Sequence, residues 1–435
     1  MEYKNLTPGL KAGLKAIAKE RTQKTIVPGR DYIPASGKVM HEKDLLAGVD
    51  AVLDGWLTGG RFNREFEQEL ALRMGSKRVL TVNSGSSANL LAVATLASPR
   101  LKDRALKPGD EVITVASGFP TTVNPILQYR CVPVFADVRI PNYNIDVAML
   151  EEAVSSKTKA IMLAHTLGNP FDLETVMEFA KKYKLWVIED NCDALGASFD
   201  GRKTGSIGHL GTASFYPAHH ITMGEGGALL INDPELIRPA ESLRDWGRDC
   251  WCETGHDNTC GKRFSGQFGE LPFGYDHKYV YSERGYNFKI TDIQAAIGLS
   301  QLDSLNDFIE KRRDNHQYLT QKLEVLLGDQ IITDSVHPKA DPAWFGCTIT
   351  LRDEYSGSRH QLLQYLESRN IGSRLLFAGN ILKQPGYLDI PHRVAGGLYN
   401  TDKVMNDTFW VGIWPGLEEE HLDYIAETMA GFFRD

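Results

Sequence analysis

Between residues 78 and 233 the chain alternates short β-rich runs with helical periods, and this alternation restricts the fold more than any other feature. The runs are RVLTVNS (78–84), DEVITVAS (110–117), CVPVFADV (131–138), KAIMLAHT (159–166), LWVIEDN (185–191), TASFY (212–216) and GGALLIND (226–233). Amphipathic segments lie between several of them, such as DLETVMEFAKKYK (172–184), with apolar residues at helical spacing. Strands separated by helices imply an α/β fold with a mostly parallel sheet covered on both faces. In such sheets ligands sit at the carboxyl ends of the strands, so those ends are the places to look for chemistry.

The flanks differ from this core. Residues 1–45 read as a polar N-terminal arm broken by Pro28, Pro34 and Gly37. Residues 46–300 read as a large domain, and 301–435 as a smaller C-terminal α+β domain with a strand at TITL (348–351) and a helix at RHQLLQYLESRN (359–370). Residues 245–285 are rich in Gly, Cys, Trp, Asp and Tyr without a clean period, which predicts a long functional loop. The pattern over 290–326 predicts one long helix.

Composition narrows the class. The 48 Lys and Arg against 56 Asp and Glu give a formal charge of −8, which argues against a nucleic-acid binder. No run approaches the length of a membrane helix, and the N-terminus lacks the apolar stretch of a signal peptide. Six Cys in 435 residues are too sparse for a disulfide scaffold. The expectation is a cytoplasmic enzyme.

Three strand ends carry candidate chemistry. Asn83-Ser84-Gly85-Ser86-Ser87-Ala88-Asn89 opens a helix, and reads equally as a phosphate cradle or as a helix cap. Ile188-Glu189-Asp190 places a carboxylate at the end of an apolar strand, where it could hold a protonated pyridine nitrogen or serve as a cap. Ser214-Phe215-Tyr216-Pro217-Ala218-His219-His220 ends another strand before a Gly-rich run at 224–227. An imidazole there could move protons or could be structural. His165, Tyr216 and Arg374 each read both ways, as site residues or as ordinary core and surface groups.

In this order and with these gaps, the three segments resemble the DegT/DnrJ/StrS sugar aminotransferases, a branch of the fold-type I pyridoxal phosphate enzymes. Gly118-Phe119-Pro120-Thr121, Gly285-Tyr286-Asn287, Gln294-Ala295 and Gln384-Pro385 extend the likeness over roughly residues 45–435. The resemblance implies an aspartate aminotransferase-like fold. It implies that Gly85, Ser86 and Ser214 hold the cofactor phosphate, that Phe119 stacks on the pyridine ring and that Asp190 pairs with its nitrogen. It also implies a homodimer in which Asn287 reaches the phosphate of the neighbouring subunit.

Two departures carry more information than the match. The family reads Ser-x-x-Pro-x-Lys where this chain has Ser214 to His219, and an imidazole cannot form the covalent link that the Lys makes. Pyridoxamine phosphate held without a covalent bond is then the natural cofactor, with His219 left to move protons. Asp193 stands where the aminotransferases usually carry Gln or His. Both departures resemble the 3-dehydrase branch, which removes a sugar hydroxyl.

The cysteines divide that branch further. Cys192, Cys250, Cys252 and Cys260 offer four thiolates, enough for an iron–sulfur cluster, and structural zinc or unrelated thiols are the alternatives on spacing alone. The pattern resembles the 2Fe–2S 3-dehydrases of CDP-linked 4-keto-6-deoxyhexoses. That likeness implies a nucleotide-sugar substrate, a role in making 3,6-dideoxyhexoses of lipopolysaccharide, and an NADH-dependent flavin and iron–sulfur reductase as partner. A cluster-free dehydrase regenerated by glutamate, a dTDP-sugar dehydrase and a non-catalytic scaffold with zinc are the competing readings. Cys131 and Cys347 read as buried apolar fillers.

Overall fold

The computed structural model describes residues 3–22, 25–252, 255–353 and 358–434. Seven strands from the alternating region build the central sheet: β1 (Arg78–Val82), β2 (Glu111–Val115), β3 (Val132–Ala136), β4 (Thr158–Ala164), β5 (Trp186–Asp190), β6 (Leu210–Ser214) and β7 (Gly227–Ile231). Their order is β1-β7-β6-β5-β4-β2-β3, and Arg393–Val394 from the C-terminal part adds a last parallel strand beside β3. Only β7 runs against the rest. Residues 215–226, between β6 and β7, contain no crossover helix, so the chain turns straight back. The other strands run parallel, and helices join them except between β5 and β6, where a short hairpin of Ser198–Phe199 and Arg202–Lys203 makes the connection.

Nearly every strand position is buried, because helices cover both faces. That is why the strands read as continuous apolar runs and not as alternation. The Leu173–Tyr183 helix shows the local logic. Asp172 caps it by accepting from the Thr175 amide (3.0 Å), Leu173, Val176, Phe179 and Ala180 form its buried stripe, and Lys184 ends it in the left-handed region at φ 57°.

The helix expected over 290–326 is two helices, Asp292–Leu302 and Leu305–Leu327. The break falls at Asp303-Ser304, residue types whose side chains compete for backbone hydrogen bonds. It lets the first helix pack on Glu42–Leu53 and Arg61–Met74, while the second runs across to Glu419–Arg434. The N-terminal arm is anchored as well. Residues Pro8–Thr22 are helical, Ile33 bridges to Ile371, and Pro34 O accepts from Trp414 Nε1 (3.0 Å). Burial of Ile33 and Ala35 supplies the reason.

The C-terminal part carries an antiparallel sheet in the order Ile331–Thr333, Gly346–Leu351, Thr408–Gly412, Ser373–Leu375, backed by helices. Among the described residues, 245–252 and 255–285 are irregular apart from single bridges at Asp245 and Arg248 and a turn at His277–Tyr279. No helix among the described residues is long and apolar enough to cross a membrane.

Candidate cofactor cavity and cysteine cluster

A cavity of about 440 Å³ opens at the carboxyl ends of the parallel strands. Gly85 and Ser86 enter from the first turn of the helix after β1, Phe119 from after β2, His165 from after β4, Asp190, Cys192 and Asp193 from the end of β5, and Ser214, Tyr216 and His219 from the end of β6. Arg374, Leu375, Phe377 and Trp410 close it from the C-terminal domain. Eleven of the residues singled out in the sequence therefore meet here. Asn287, Cys250, Cys252 and Cys260 do not line it.

Asp190 is buried and receives four hydrogen bonds. Asn89 Nδ2 (2.8 Å) and Thr122 Oγ1 (2.7 Å) donate to one oxygen, and Thr212 Oγ1 and the Cys192 amide (both 3.3 Å) donate to the other. No cationic side chain is paired with it among the described residues. A buried carboxylate without a counter-charge is costly, and a protonated pyridine nitrogen would supply one.

Gly85 begins the Gly85–Leu96 helix, which Ser84 caps through the Ser87 amide (3.0 Å). The first-turn amides have no partner within the helix and carry its positive dipole end, which suits a phosphate. A Cβ on Gly85 would fall 2.6 Å from Ser214 Cβ and 3.0 Å from Cys192 Sγ, so only glycine fits that approach. Phe119, 48% exposed, stands edge-on to Phe377 at the mouth. Tyr216 is also half-exposed, and Arg374 lies at the rim with Nη1 on its own neighbour's carbonyl, Ser373 O (2.7 Å).

The two adjacent histidines are divided by the fold. His219 faces the cavity, its Nδ1 3.3 Å from Asp193 Oδ1. His220 points into the core, where its Nε2 donates to Ala343 O (2.6 Å) and burial holds its basicity well below that of a free imidazole. His165 is fully buried against Glu189 (3.0 Å) and stacked on Phe171, so it borders the cavity as part of the core. No lysine lines the cavity among the described residues.

The cysteines part company. Cys250, Cys252 and Cys260 come together in the 245–285 loop, with the Cys252 amide 3.5 Å from Cys250 Sγ. Cys260 Sγ lies 3.6 Å from Nδ1 of the buried His277, and the ligand atoms of Cys250, Cys260 and His277 all fall within 4.8 Å of one another. The other ring nitrogen of His277 bonds Asp249 Oδ2 (2.8 Å), and its ring stacks on Phe268. Burial pushes Cys250 up to about 11. Hydrogen bonds from Thr259 and the neighbouring cysteines outweigh burial at Cys252 and bring it down to about 6.

Cys192, expected as the fourth member, lines the cofactor cavity instead, 3.8 Å from Thr212 Oγ1. The sheet fixes it there, two residues beyond the end of β5. Its burial, beside Asp190 and Asp193, pushes its thiol well above the usual range. Within one chain the four-cysteine set is thus not assembled, and an imidazole stands beside the three thiols that are. Asn287 sits outside the cavity, bridged to Asp245 and accepting from Lys289 Nζ (2.8 Å). Cys131 and Cys347 are buried.

The residues the sequence reading passed over are Asn89, Thr122 and Thr212 around Asp190, Arg312 behind His219, and His277 with Asp249. Asn89 had a signal, since it lies four residues after Gly85 on the same helical face. His277 had none, because its loop has no period.

A sheet of this order, with its cavity at the strand ends and a second domain closing it, defines an α/β enzyme of the aspartate aminotransferase type. The chain belongs to the DegT/DnrJ/EryC1/StrS aminotransferase family, whose description matches residues 39–430. It is 55% identical to the lipopolysaccharide biosynthesis protein RfbH of Salmonella typhimurium, over 94% of each chain. It is 49% identical to dTDP-4-dehydro-2,6-dideoxy-D-glucose 3-dehydratase of Saccharopolyspora spinosa, over 97% of this chain and 91% of that one. Among solved structures, Escherichia coli GDP-4-keto-6-deoxy-D-mannose-3-dehydratase with bound hydrated PLP superposes with a TM-score of 0.82 at 28% identity, covering 92% of this chain and 99% of that one.

Proposed function

We propose that this chain is a pyridoxamine phosphate-dependent 3-dehydrase of a CDP-linked 4-keto-6-deoxyhexose, producing the 3,6-dideoxy-4-keto sugar for lipopolysaccharide. The observation that carries the proposal is His219 in a cavity that no lysine lines among the described residues. The cofactor then has neither a covalent tether nor an amine to complete transamination. When bound, pyridoxamine phosphate supplies an amine for the 4-keto carbon and an electron-withdrawing ring. Asp190 holds the proton on the pyridine nitrogen, with Asn89, Thr122 and Thr212 fixing its position. Gly85, Ser86 and Ser214 bind the phosphate, and Phe119 covers the ring. His219 moves a proton at the cofactor methylene carbon. Tyr216 and Arg374 bound the sugar side, and Asn287 serves the phosphate of a second copy in a homodimer.

In the overall reaction the C3–O bond breaks and the oxygen leaves as water. Two electrons come from NADH through a partner reductase carrying flavin and an iron–sulfur centre. A 2Fe–2S centre on this chain is proposed at Cys250, Cys252 and Cys260, with His277 as a further donor beside them. Cys192 does not fit that group within one chain, and no step is assigned through it. A second reading is favoured by the separation of Cys192. It is a cluster-free dehydrase regenerated by glutamate, and a GDP-4-keto-6-deoxymannose-3-dehydratase solved with a trapped PLP–glutamate geminal diamine lends it support.

The test is turnover of CDP- and dTDP-linked 4-keto-6-deoxyhexoses by protein purified without oxygen and loaded with pyridoxamine phosphate. Iron, acid-labile sulfide and electron paramagnetic resonance are recorded on the same sample. The proposal expects CDP-sugar turnover that requires a reductant. Turnover with glutamate alone selects the second reading. His219→Asn should lower kcat by ~10²–10⁴ while the cofactor is retained, and an unchanged kcat overturns the role given to His219.

A further inference from the structure

Proton transfer by His219 requires a lone pair aimed at the cavity, and the wall behind the ring is built to aim one. Asp193 Oδ1 stands 3.3 Å from Nδ1, and both side chains are only 14% exposed. Nδ1 is closed off from solvent and makes no aligned hydrogen bond with any described residue. Such contacts are commonly loose before the ligand binds and tighten afterwards. A neutral imidazole carries its proton on one nitrogen and a lone pair on the other, and the hydrogen bond made by one nitrogen decides which. A carboxylate only accepts, so Asp193 beside Nδ1 selects the Nδ1–H tautomer and leaves the Nε2 lone pair for the cavity.

The backbone that carries the ring is held separately. The His219 amide donates to Tyr216 O (2.9 Å), closing a turn. Arg312 is fully buried. It donates through Nη1 to Phe345 O (3.1 Å) and Trp344 O (3.3 Å), and through Nη2 to Ala218 O (3.4 Å) and His219 O (3.5 Å). One guanidinium thus ties the His219 turn to the strand entrance of the C-terminal domain. Burial lowers Arg312 to about 10 against the opposing pull of Asp193.

We infer that Asp193 is the positioning residue of His219: it holds the imidazole through Nδ1 and directs Nε2 at the reacting carbon, while Arg312 holds the turn. The inference rests on the proposed proton-transfer role of His219 and adds the group that orients it.

The experiment is ¹⁵N nuclear magnetic resonance of histidine-labelled protein without cofactor, with His219 identified by the signals lost in His219→Asn. The expected wild-type spectrum has a proton on Nδ1 and a bare Nε2. In Asp193→Asn, whose side-chain amide can donate as well as accept, a mixture of tautomers should appear, and Asp193→Glu should restore the single form. Steady-state kinetics should show kcat falling by at least about tenfold in Asp193→Asn, as when a base is left in the wrong tautomer. KM should stay within twofold, and Asp193→Glu should regain part of the loss. An unchanged His219 tautomer in both Asp193→Asn and Asp193→Ala overturns the inference. So does a raised KM with unchanged kcat, which would make Asp193 a substrate contact. If His219→Asn keeps full turnover, the proton-transfer reading fails, and the tautomer measurement still decides what Asp193 does to the ring.

Discussion

The cofactor cavity and the cysteine loop hold their reactive groups by different means. In the cavity each group follows the end of a strand whose neighbours fix it on both sides. Asp190 closes β5, Ser214 closes β6, and the side chains around them are buried and mutually bonded. In the loop, Cys250, Cys252 and Cys260 hang on a stretch in which Phe264 and Phe273 stay exposed. That stretch is pinned chiefly through the carboxylate of Asp249, which meets His277, Arg100 and Ser282. A sheet supplies geometry without the ligand. A loop of this kind supplies donors whose order rises when something binds them, because bound metal adds its binding free energy to the folded state alone.

This contrast can be broken at several points. The largest effect is expected at the loop. Cys260→Ser should lose the metal bound by anaerobically reconstituted protein. Binding of pyridoxamine phosphate, followed by its absorption, should be unchanged. Loss of both together would mean that the two regions fold as one unit. Next comes the cavity floor. Gly85→Ala forces a methyl into Ser214 and should destabilise by about 1–3 kcal/mol, with weaker cofactor binding and unaltered metal content. Thermal melting and cofactor titration check this. The smallest effect is expected at the loop surface. Arg263 pairs with Asp276 (3.2 Å) in a partly exposed position, so Arg263→Ala should leave the melting temperature nearly unchanged. It should still speed proteolysis within 255–279, and an equal fall in melting temperature would contradict the loop's independence.

Legibility in the sequence follows the same division. The seven strands were readable because each is a short apolar run between helical periods, and the cavity followed from where those strands end. The helix break at Asp303-Ser304 was not readable, since apolar periodicity continues across it. His220 could not be told from His219 by type or position. Only the packing against Ala343 turns it inward. Cys192 looked like a partner of the loop cysteines because spacing carries no direction.

The sequence by itself determined the α/β architecture, the family and the presence of His219, not a lysine, five residues after Ser214. These are properties of local pattern and residue identity, and they survive without coordinates. The tertiary structure alone decided which histidine faces the cavity, which carboxylate stands behind it, and that His277 and not Cys192 adjoins the loop thiols. Each of these depends on side-chain direction across long separations in the chain, from Asp193 to His219 to Arg312 and from Asp249 to His277. Such directions are set by the packing of sheet and loop, and no local period encodes them.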